Sequence, residues 1–344
     1  MSFCYCSSYF ERRNITMQIF DDQLIVVTGG AGFIGSCFIR YLNDRGLNNI
    51  LVVDELGSSE KWKNLVGKKF YHLIDKSELF EWLNGRESQI EAFVHLGACT
   101  DTMETDASYL LDNNYQFSIK LAEYALTYDK RFIYASSAAT YGDGSKDFID
   151  DQSQLCDLQP LNMYGYSKQL FDQWADNTGV LDKIVGLKFF NVFGPNENHK
   201  GRMASAITKM VPQIQKGERV KLFKTTEPTR FKDGEQKRDF IYVKDVVHMI
   251  YAFLENNAAG IFNIGSGVAS TWNELAEAVY LALEKQTHIE YIDMPPELVK
   301  KYQNYSRADM IKTKKILQEK ADCMSLKDSV GDYVKNYLLV DKLW

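Results

Sequence analysis

The chain has 344 residues, enough for one large domain or two interlocked ones. With 45% apolar and 25% charged residues it can bury a sizeable core, which excludes a wholly disordered chain. Forty Lys and Arg against 46 Asp and Glu leave a net charge of −6. That balance argues against a nucleic-acid partner but leaves room for a local basic pocket holding a phosphorylated small molecule.

Residues 1–20 precede the first strand signal and read as a flexible N-terminal extension; an initiator at Met17 is the other reading. They lack the basic region and clean apolar run of a secretory signal. Nowhere does the chain approach the roughly 18 consecutive apolar residues of a membrane span, so no membrane partner is expected. Cys4, Cys6, Cys37, Cys99, Cys156 and Cys323 are scattered. Only Cys4 and Cys6 are close, and nothing completes a metal site around them. All six read as reduced thiols of a cytoplasmic protein.

From Leu24 onward, apolar runs alternate with segments of helical spacing. The runs are Leu24–Thr28, Ile50–Asp54, Ala92–Leu96, Phe132–Ser136, Ile184–Lys188 and Ile261–Ile264. Continuous apolar strands separated by helices predict a parallel sheet covered on both faces. Ile34, Phe38, Tyr41 and Leu42 give the first helix its apolar stripe. After Phe190 the pattern loosens. Asn191–Pro195 reads as a turn, and 196–236 carry charge, Gly and Pro without strand periodicity. Asp239–Asp245 and Gly260–Gly267 return to sheet-like text, and the tail from about 270 is mostly helical. The predicted fold class is α/β, a Rossmann-type doubly wound parallel sheet with a smaller, interleaved α/β C-terminal domain. Residues 21–190 plus about 237–265 would form a nucleotide-binding Rossmann domain. Residues 191–236 plus about 266–344 would form the substrate-binding domain.

Between the first strand and the first helix stands Thr28-Gly-Gly-Ala-Gly-Phe-Ile-Gly35. Gly30, Gly32 and Gly35 fit G-x-G-x-x-G, and Gly29, Gly32 and Gly35 fit the same loop one residue longer. Glycines permit the tight turn and the close approach of a pyrophosphate to the helix N-terminus. Asp54 ends the second strand 19 residues after Gly35, where an acid usually bonds the adenosine ribose 2′-hydroxyl of NAD. Lys61 and Lys76 lie downstream. They could neutralise a 2′-phosphate or simply be solvated, so the residues alone leave NAD and NADP both open.

Tyr164-Gly-Tyr-Ser-Lys168 places a phenol and an ammonium one helical turn apart. A free phenol, with a pKa of roughly 10, is a poor base at neutral pH. A neighbouring ammonium and an oxidised nicotinamide both favour phenolate and make it a usable proton acceptor. Lys168 would also bond the nicotinamide ribose. Ser137 sits at the end of the fourth predicted strand, where open α/β sheets place their ligands, and its hydroxyl could bond the reacting oxygen.

Together these segments resemble the extended short-chain dehydrogenase/reductase family over residues 24 to about 340. Within it, the resemblance is closest to the ADP-glycero-manno-heptose 6-epimerases. It is carried by His95-Leu-Gly-Ala-Cys99, Asp112-Asn-Asn-Tyr-Gln116, Tyr134-Ala-Ser-Ser-Ala-Ala-Thr-Tyr-Gly142, Pro160 to Lys168, Phe190-Asn-Val-Phe-Gly-Pro195 and Lys237-Arg-Asp-Phe240. Most particular is His199-Lys-Gly201 followed by Met203-Ala-Ser205. The resemblance implies NADP as cofactor, with NAD as the alternative. It implies cofactor contacts from Gly29, Gly32, Phe33, Ile34, Gly35, Asp54, Glu55, Lys61, Lys76, Leu96, Gly97, Ala98, Cys99, Thr100, Asn114, Lys168 and Val192. An ADP-heptose substrate would meet Ser137, Asn191, Arg202, Lys209, Phe223, Arg238 and Tyr302. Tyr164 and Lys200 would be the two bases, with Ser137 and Lys168 assisting. A homo-oligomer, a pentamer in that group, is also implied.

Two features depart from the group. Arg202 stands where a small residue is usual, and the stretch 224–236 is longer than the usual loop. Arg238 has a physical role of its own, because a guanidinium grips a diphosphate bidentately. A surface ion pair with Asp239 or Asp245 is the competing use. Dehydratases of the family need an acid beside the serine, and Ser137-Ala-Ala-Thr140 offers none. A UDP-sugar 4-epimerase and a non-catalytic scaffold on the same fold are the rival readings.

Overall fold

The computed structural model describes residues 19–299 and 302–344. The expected extension therefore lies outside the described residues, apart from Ile19 and Phe20. Ile19 is already buried in the core, so the fold begins a few residues before the first strand.

Twelve strands are present among the described residues. They are β1 (Leu24–Thr28), β2 (Ile50–Val53), β3 (His72–Ile74), β4 (Ile90–His95), β5 (Arg131–Ser137), β6 (Val185–Phe189), β7 (Asn191–Phe193), β8 (Val220–Phe223), β9 (Lys237–Tyr242), β10 (Gly260–Ile264), β11 (Ala269–Thr271) and β12 (Ile289–Ile292). Seven form one sheet in the order β10-β6-β5-β4-β1-β2-β3. Every neighbouring pair in it is parallel. Every residue of β1, β2, β6 and β10 is buried, as expected of strands covered by helices on both faces. The helix Phe33–Asn43 shows how that cover forms. Its stripe of Phe33, Cys37, Phe38, Tyr41 and Leu42 is buried. It packs against the helix Val243–Leu254, where the Tyr41 hydroxyl meets His248 Nδ1 at 2.6 Å.

The sheet matches the predicted fold class, and the six predicted strands agree with β1, β2, β4, β5, β6 and β10 to within two residues at each end. The differences lie in short strands. Asn191–Phe193 is not a turn: it pairs in parallel with β9, Asn191 opposite Phe240. Within 196–236, a helix spans Ala206–Gln215 and β8 follows, burying Val220 and Leu222 while exposing Lys221. That alternation lasts only four residues, and β8 is held by pairing with β12 some 70 residues later. The tail is interrupted by β11 and β12. Strands β11, β9 and β7 make a small second sheet, and β12 with β8 a third. The chain thus leaves the large sheet at Phe190, builds the small one, and re-enters the large one at β10.

Candidate active site

Neighbours of β1 on its two sides are β2 and β4, so the strand order reverses there and opens a crevice beyond the strand ends. A cleft of about 600 Å³ lies at that point, within the usual range for a small-molecule site. Its floor is the turn after β1. A Cβ on Gly35 would lie 2.2 Å from Gly29 O, and one on Gly29, which has φ +67°, would lie 2.6 Å from Gly97 N. Glycine is therefore obligatory at both positions. No side chain caps the helix that begins at Phe33. Its first N–H groups and positive dipole end are left for an anion, so the loop fits a dinucleotide pyrophosphate.

At the adenosine end, Asp54 is tied into the loop. Its Oδ2 accepts from Ala31 N at 2.8 Å, and its Oδ1 accepts from Glu55 N at 2.8 Å and Lys61 Nζ at 2.7 Å. Lys76 bridges Glu55 at 2.7 Å and donates to Asn113 Oδ1 at 2.8 Å. Both lysines border the cleft and neither is merely solvated, since each is paired with an acid at its rim.

The far wall, Leu96 to Thr100, is held from behind. A π-helical turn over Leu111–Gln116 presents Asn114, which is fully buried. Its Oδ1 accepts from Cys99 N at 2.8 Å, and its Nδ2 donates to Cys99 O at 2.9 Å and Ser167 Oγ at 3.0 Å. Beneath, the Ser118 hydroxyl donates to Asn114 O at 2.6 Å and so must accept from His95 Nε2–H at 2.8 Å. His95 Nδ1 then accepts from the Thr28 hydroxyl at 2.6 Å, which itself receives Gly97 N–H at 3.2 Å. Burial drives the His95 pKa down to about 3, keeping the ring neutral, as this chain of bonds requires.

Tyr164 and Lys168 lie on the helix Met163–Asn177, capped at its start by Asn162 Oδ1 accepting from Gly165 N. Lys168 Nζ donates to Ala135 O on β5 at 2.9 Å, and burial lowers its pKa to about 8. Ser137 closes β5, its Oγ accepting from Ala139 N at 3.1 Å. Burial raises the Tyr164 pKa, and the Ser137 side chain only partly offsets this. Burial thus favours the neutral phenol in the protein alone, and the sequence reading calls on an oxidised nicotinamide as well as the ammonium to favour phenolate. Asn114 bonds Cys99 on one side and Ser167 on the other, which places the start of this helix just behind the cleft wall.

Lys200 comes from the turn Asn198–Met203 and lines the cleft, its Nζ 5.7 Å from the Phe33 ring centroid. Burial lowers its pKa and Glu197 offsets part of that. Glu197 fixes the turn from inside, accepting from Gly194 N, Ser205 N and Ser205 Oγ. Arg202 Nη2 meets Asp101 Oδ2 at 2.5 Å, joining this turn to the loop after β4, and Lys209 Nζ donates to Arg202 O at 3.1 Å. Away from the cleft, Arg238 stacks 4.9 Å over the Tyr302 ring, which also meets Phe223 edge-on at 6.4 Å. Arg238 is buried, and among the described residues its guanidinium bonds Lys237 O and forms no ion pair with Asp239 or Asp245. Asp239 turns the other way and accepts from Ser266, Gly267 and Ala308. Asn191 donates to Asp239 O at 3.1 Å, and Val192 follows it on β7.

Of the residues expected around a cofactor, Gly29, Gly32, Phe33, Ile34, Gly35, Asp54, Glu55, Lys61, Lys76 and Leu96 to Thr100 line the cleft. Asn114 stands behind its wall, bonded to Cys99, whereas Lys168 and Val192 are not among its lining residues. Arg202 lines it too, whereas Asn191, Lys209, Phe223, Arg238 and Tyr302 belong to the neighbouring half of the molecule. Sequence reasoning missed Asp101, Asn113 and His199 in the lining. The motifs Asp112-Asn-Asn and His199-Lys-Gly contained two of them. Asn64, which donates to Asn196 O at 3.2 Å and touches His199 Nδ1, carried no local signal.

The NAD dependent epimerase/dehydratase family matches residues 25–265. The chain is 48% identical over 322 residues to ADP-L-glycero-D-manno-heptose-6-epimerase of Nitratidesulfovibrio vulgaris, a match covering 92% of this chain and 98% of that one. Among solved structures, Helicobacter pylori ADP-L-glycero-D-manno-heptose-6-epimerase superposes with a TM-score of 0.75 at 26% identity, over 92% of this chain and 96% of that one. Thermotoga maritima UDP-glucose 4-epimerase, solved with UDP-glucose, gives 0.75 at 26% over 93% and 100%.

Proposed function

The chain belongs to the NAD dependent epimerase/dehydratase family, and we propose that it interconverts ADP-D-glycero- and ADP-L-glycero-D-manno-heptose. This is a 6-epimerase reaction, placed in the cytoplasm and in the supply of precursors for the lipopolysaccharide inner core. The observation that carries the reading is one cleft with a glycine floor, a Tyr164–Lys168–Ser137 group behind its wall, and a second, half-buried ammonium, Lys200, on another element. A nicotinamide dinucleotide held there would supply reversible hydride transfer at the sixth carbon of the heptose, which inverts that centre if the hydride returns to the other face. Tyr164 accepts the hydroxyl proton of one epimer, Lys200 that of the other, and Ser137 bonds the reacting oxygen. Because Tyr164 starts as a phenol, the charge that ionises it must come from the oxidised nicotinamide added to Lys168.

NADP is the cofactor we favour, with Lys61 and Lys76 turning from their acids toward the 2′-phosphate; Asp54 is what supports NAD instead. On this reading residues 21–190 with 237–265 hold the dinucleotide, and 191–236 with 266–344 hold the sugar nucleotide. Arg238 would grip the diphosphate, with Tyr302, Phe223, Asn191 and Lys209 around it. Arg202 would also face the substrate, and the protein would act as a homo-oligomer.

NMR on the purified protein with ADP-D-glycero-D-manno-heptose tests the proposal: the epimer should accumulate to equilibrium, and UDP-glucose should be left unchanged. The second reading, a UDP-sugar 4-epimerase, is favoured by the equal fold similarity to that enzyme, and the UDP-glucose arm decides it. Tyr164→Phe and Lys200→Ala should each slow turnover by about 10²- to 10⁴-fold. Undiminished epimerisation in Lys200→Ala would remove the second base.

A further inference from the structure

Beneath the Tyr164 helix lies a buried ion pair that the roles above leave unused. Lys188 on β6 and Asp172, two helical turns after Tyr164, are both fully shielded from solvent. Lys188 Nζ donates to Asp172 Oδ2 at 2.7 Å and to Thr140 Oγ1 at 2.6 Å. Asp172 also accepts from the Tyr134 hydroxyl at 2.8 Å and from Ser136 Oγ at 2.7 Å. An ion pair this dry adds little stability over apolar side chains of the same volume. The destinations of its bonds give it another use. Thr140 passes its own hydroxyl hydrogen to Ser137 O at 2.8 Å, leaving its oxygen free to accept from Lys188. Asp172 sits one turn beyond Lys168 on the same helix face. The carbonyl that holds Lys168 belongs to Ala135, between the two residues whose hydroxyls Asp172 accepts. A single pair therefore clamps the end of β5, the turn Ala138–Tyr141 and the Tyr164 helix together.

Building on the epimerase reading, we propose that Lys188 and Asp172 are positioning residues that fix Ser137, Tyr164 and Lys168 relative to one another. They touch neither cofactor nor substrate. Asp172 has a second effect, because its charge opposes the burial that lowers the Lys168 pKa. Cys99, from the loop after β4, acts in the same sense. Of the groups around Lys168, His95 on β4 also feels its charge but is kept neutral by burial.

The test compares three variants with the parent. Lys188→Met with Asp172→Asn removes both charges at similar volume, so no lone charge is left buried. Thr140→Val cuts the link to Ser137 and leaves the ion pair in place. Lys188→Arg keeps the cation. The first two should bind cofactor and melt close to the parent, with KM little changed and kcat lowered about 10- to 100-fold. The alkaline limb of kcat should move to lower pH in the double variant alone, and Lys188→Arg should keep most of the parental rate. A folded double variant with parental kcat and pH profile overturns the proposal. So does Thr140→Val at the parental rate, which decides the matter should the double variant not fold. A parent that does not turn over the heptose defeats the functional reading itself, and this proposal with it.

Discussion

His95 shows most directly how one residue's surroundings set a measurable property of the protein. Its pKa is about 3 in the folded state, against 6.5 for an exposed histidine. As pH falls through 6.5 the unfolded chain takes up the proton first, so stability is lost between pH 6.5 and 3. Asp245 acts in the opposite sense: burial lifts it from 3.8 to about 6, and in that window the folded state holds the extra proton. The two are separated by comparing the parent with His95→Gln in urea melts at several pH values. The variant should lose about 1–3 kcal/mol at pH 7 through its broken bonds, and its stability should fall less steeply on acidification. Equal slopes in both proteins would show that His95 is not the source. Nothing in the sequence revealed this ring's task. Its spacing in His95-Leu-Gly-Ala-Cys99 marked a family segment, but the partners Thr28 and Ser118 stand 67 and 23 residues away. Tyr164 and Lys168 drew attention through their short spacing, and Ser137 through its place at the end of a predicted strand. Asn64 was not legible, since it acts by bonding Ala31 O and Asn196 O, 33 and 132 residues away.

For elements, legibility tracked length and burial. The six long apolar strands announced themselves, because a strand covered on both faces needs no partner to explain its composition. Strands β3, β7, β8 and β11 have three or four residues, are half-exposed, and exist through pairing with segments far along the chain. The π-helical turn over Leu111–Gln116 was equally invisible, although it aims Asn114 at Cys99. The glycine turn, in contrast, was readable down to single atoms. Gly35→Ala must push its new methyl against Gly29 O, so either the helix start or the turn has to move. Dinucleotide affinity, measured by fluorescence titration, should drop at least about tenfold, with the far-UV spectrum of a folded protein retained. Unchanged affinity would mean that the loop does not cradle the pyrophosphate.

At the level of the whole molecule, the chain crosses between its sheets at Phe190 and returns at Gly260. Asp239 and Asn263 bind the crossing points, the first through Ser266, Gly267 and Ala308 and the second through Phe148 and Asp309. Interleaving of this kind was predicted from the broken strand pattern, but which side chains knot it was not. Across the cleft itself, Arg202 and Asp101 join one wall to the other, and the arginine is 67% exposed. Contacts of that type are worth about 0–1 kcal/mol and weaken as salt is added. On the proposed mechanism the hydride must return to the same sugar, so early loss of the dinucleotide would leave an oxidised sugar behind. Ionic strength should therefore tune leakage: exchange of bound for labelled dinucleotide should speed up by no more than about fivefold between low and high salt. In Arg202→Ala that salt response should largely vanish, and the enzyme should release more ketone per turnover than the parent.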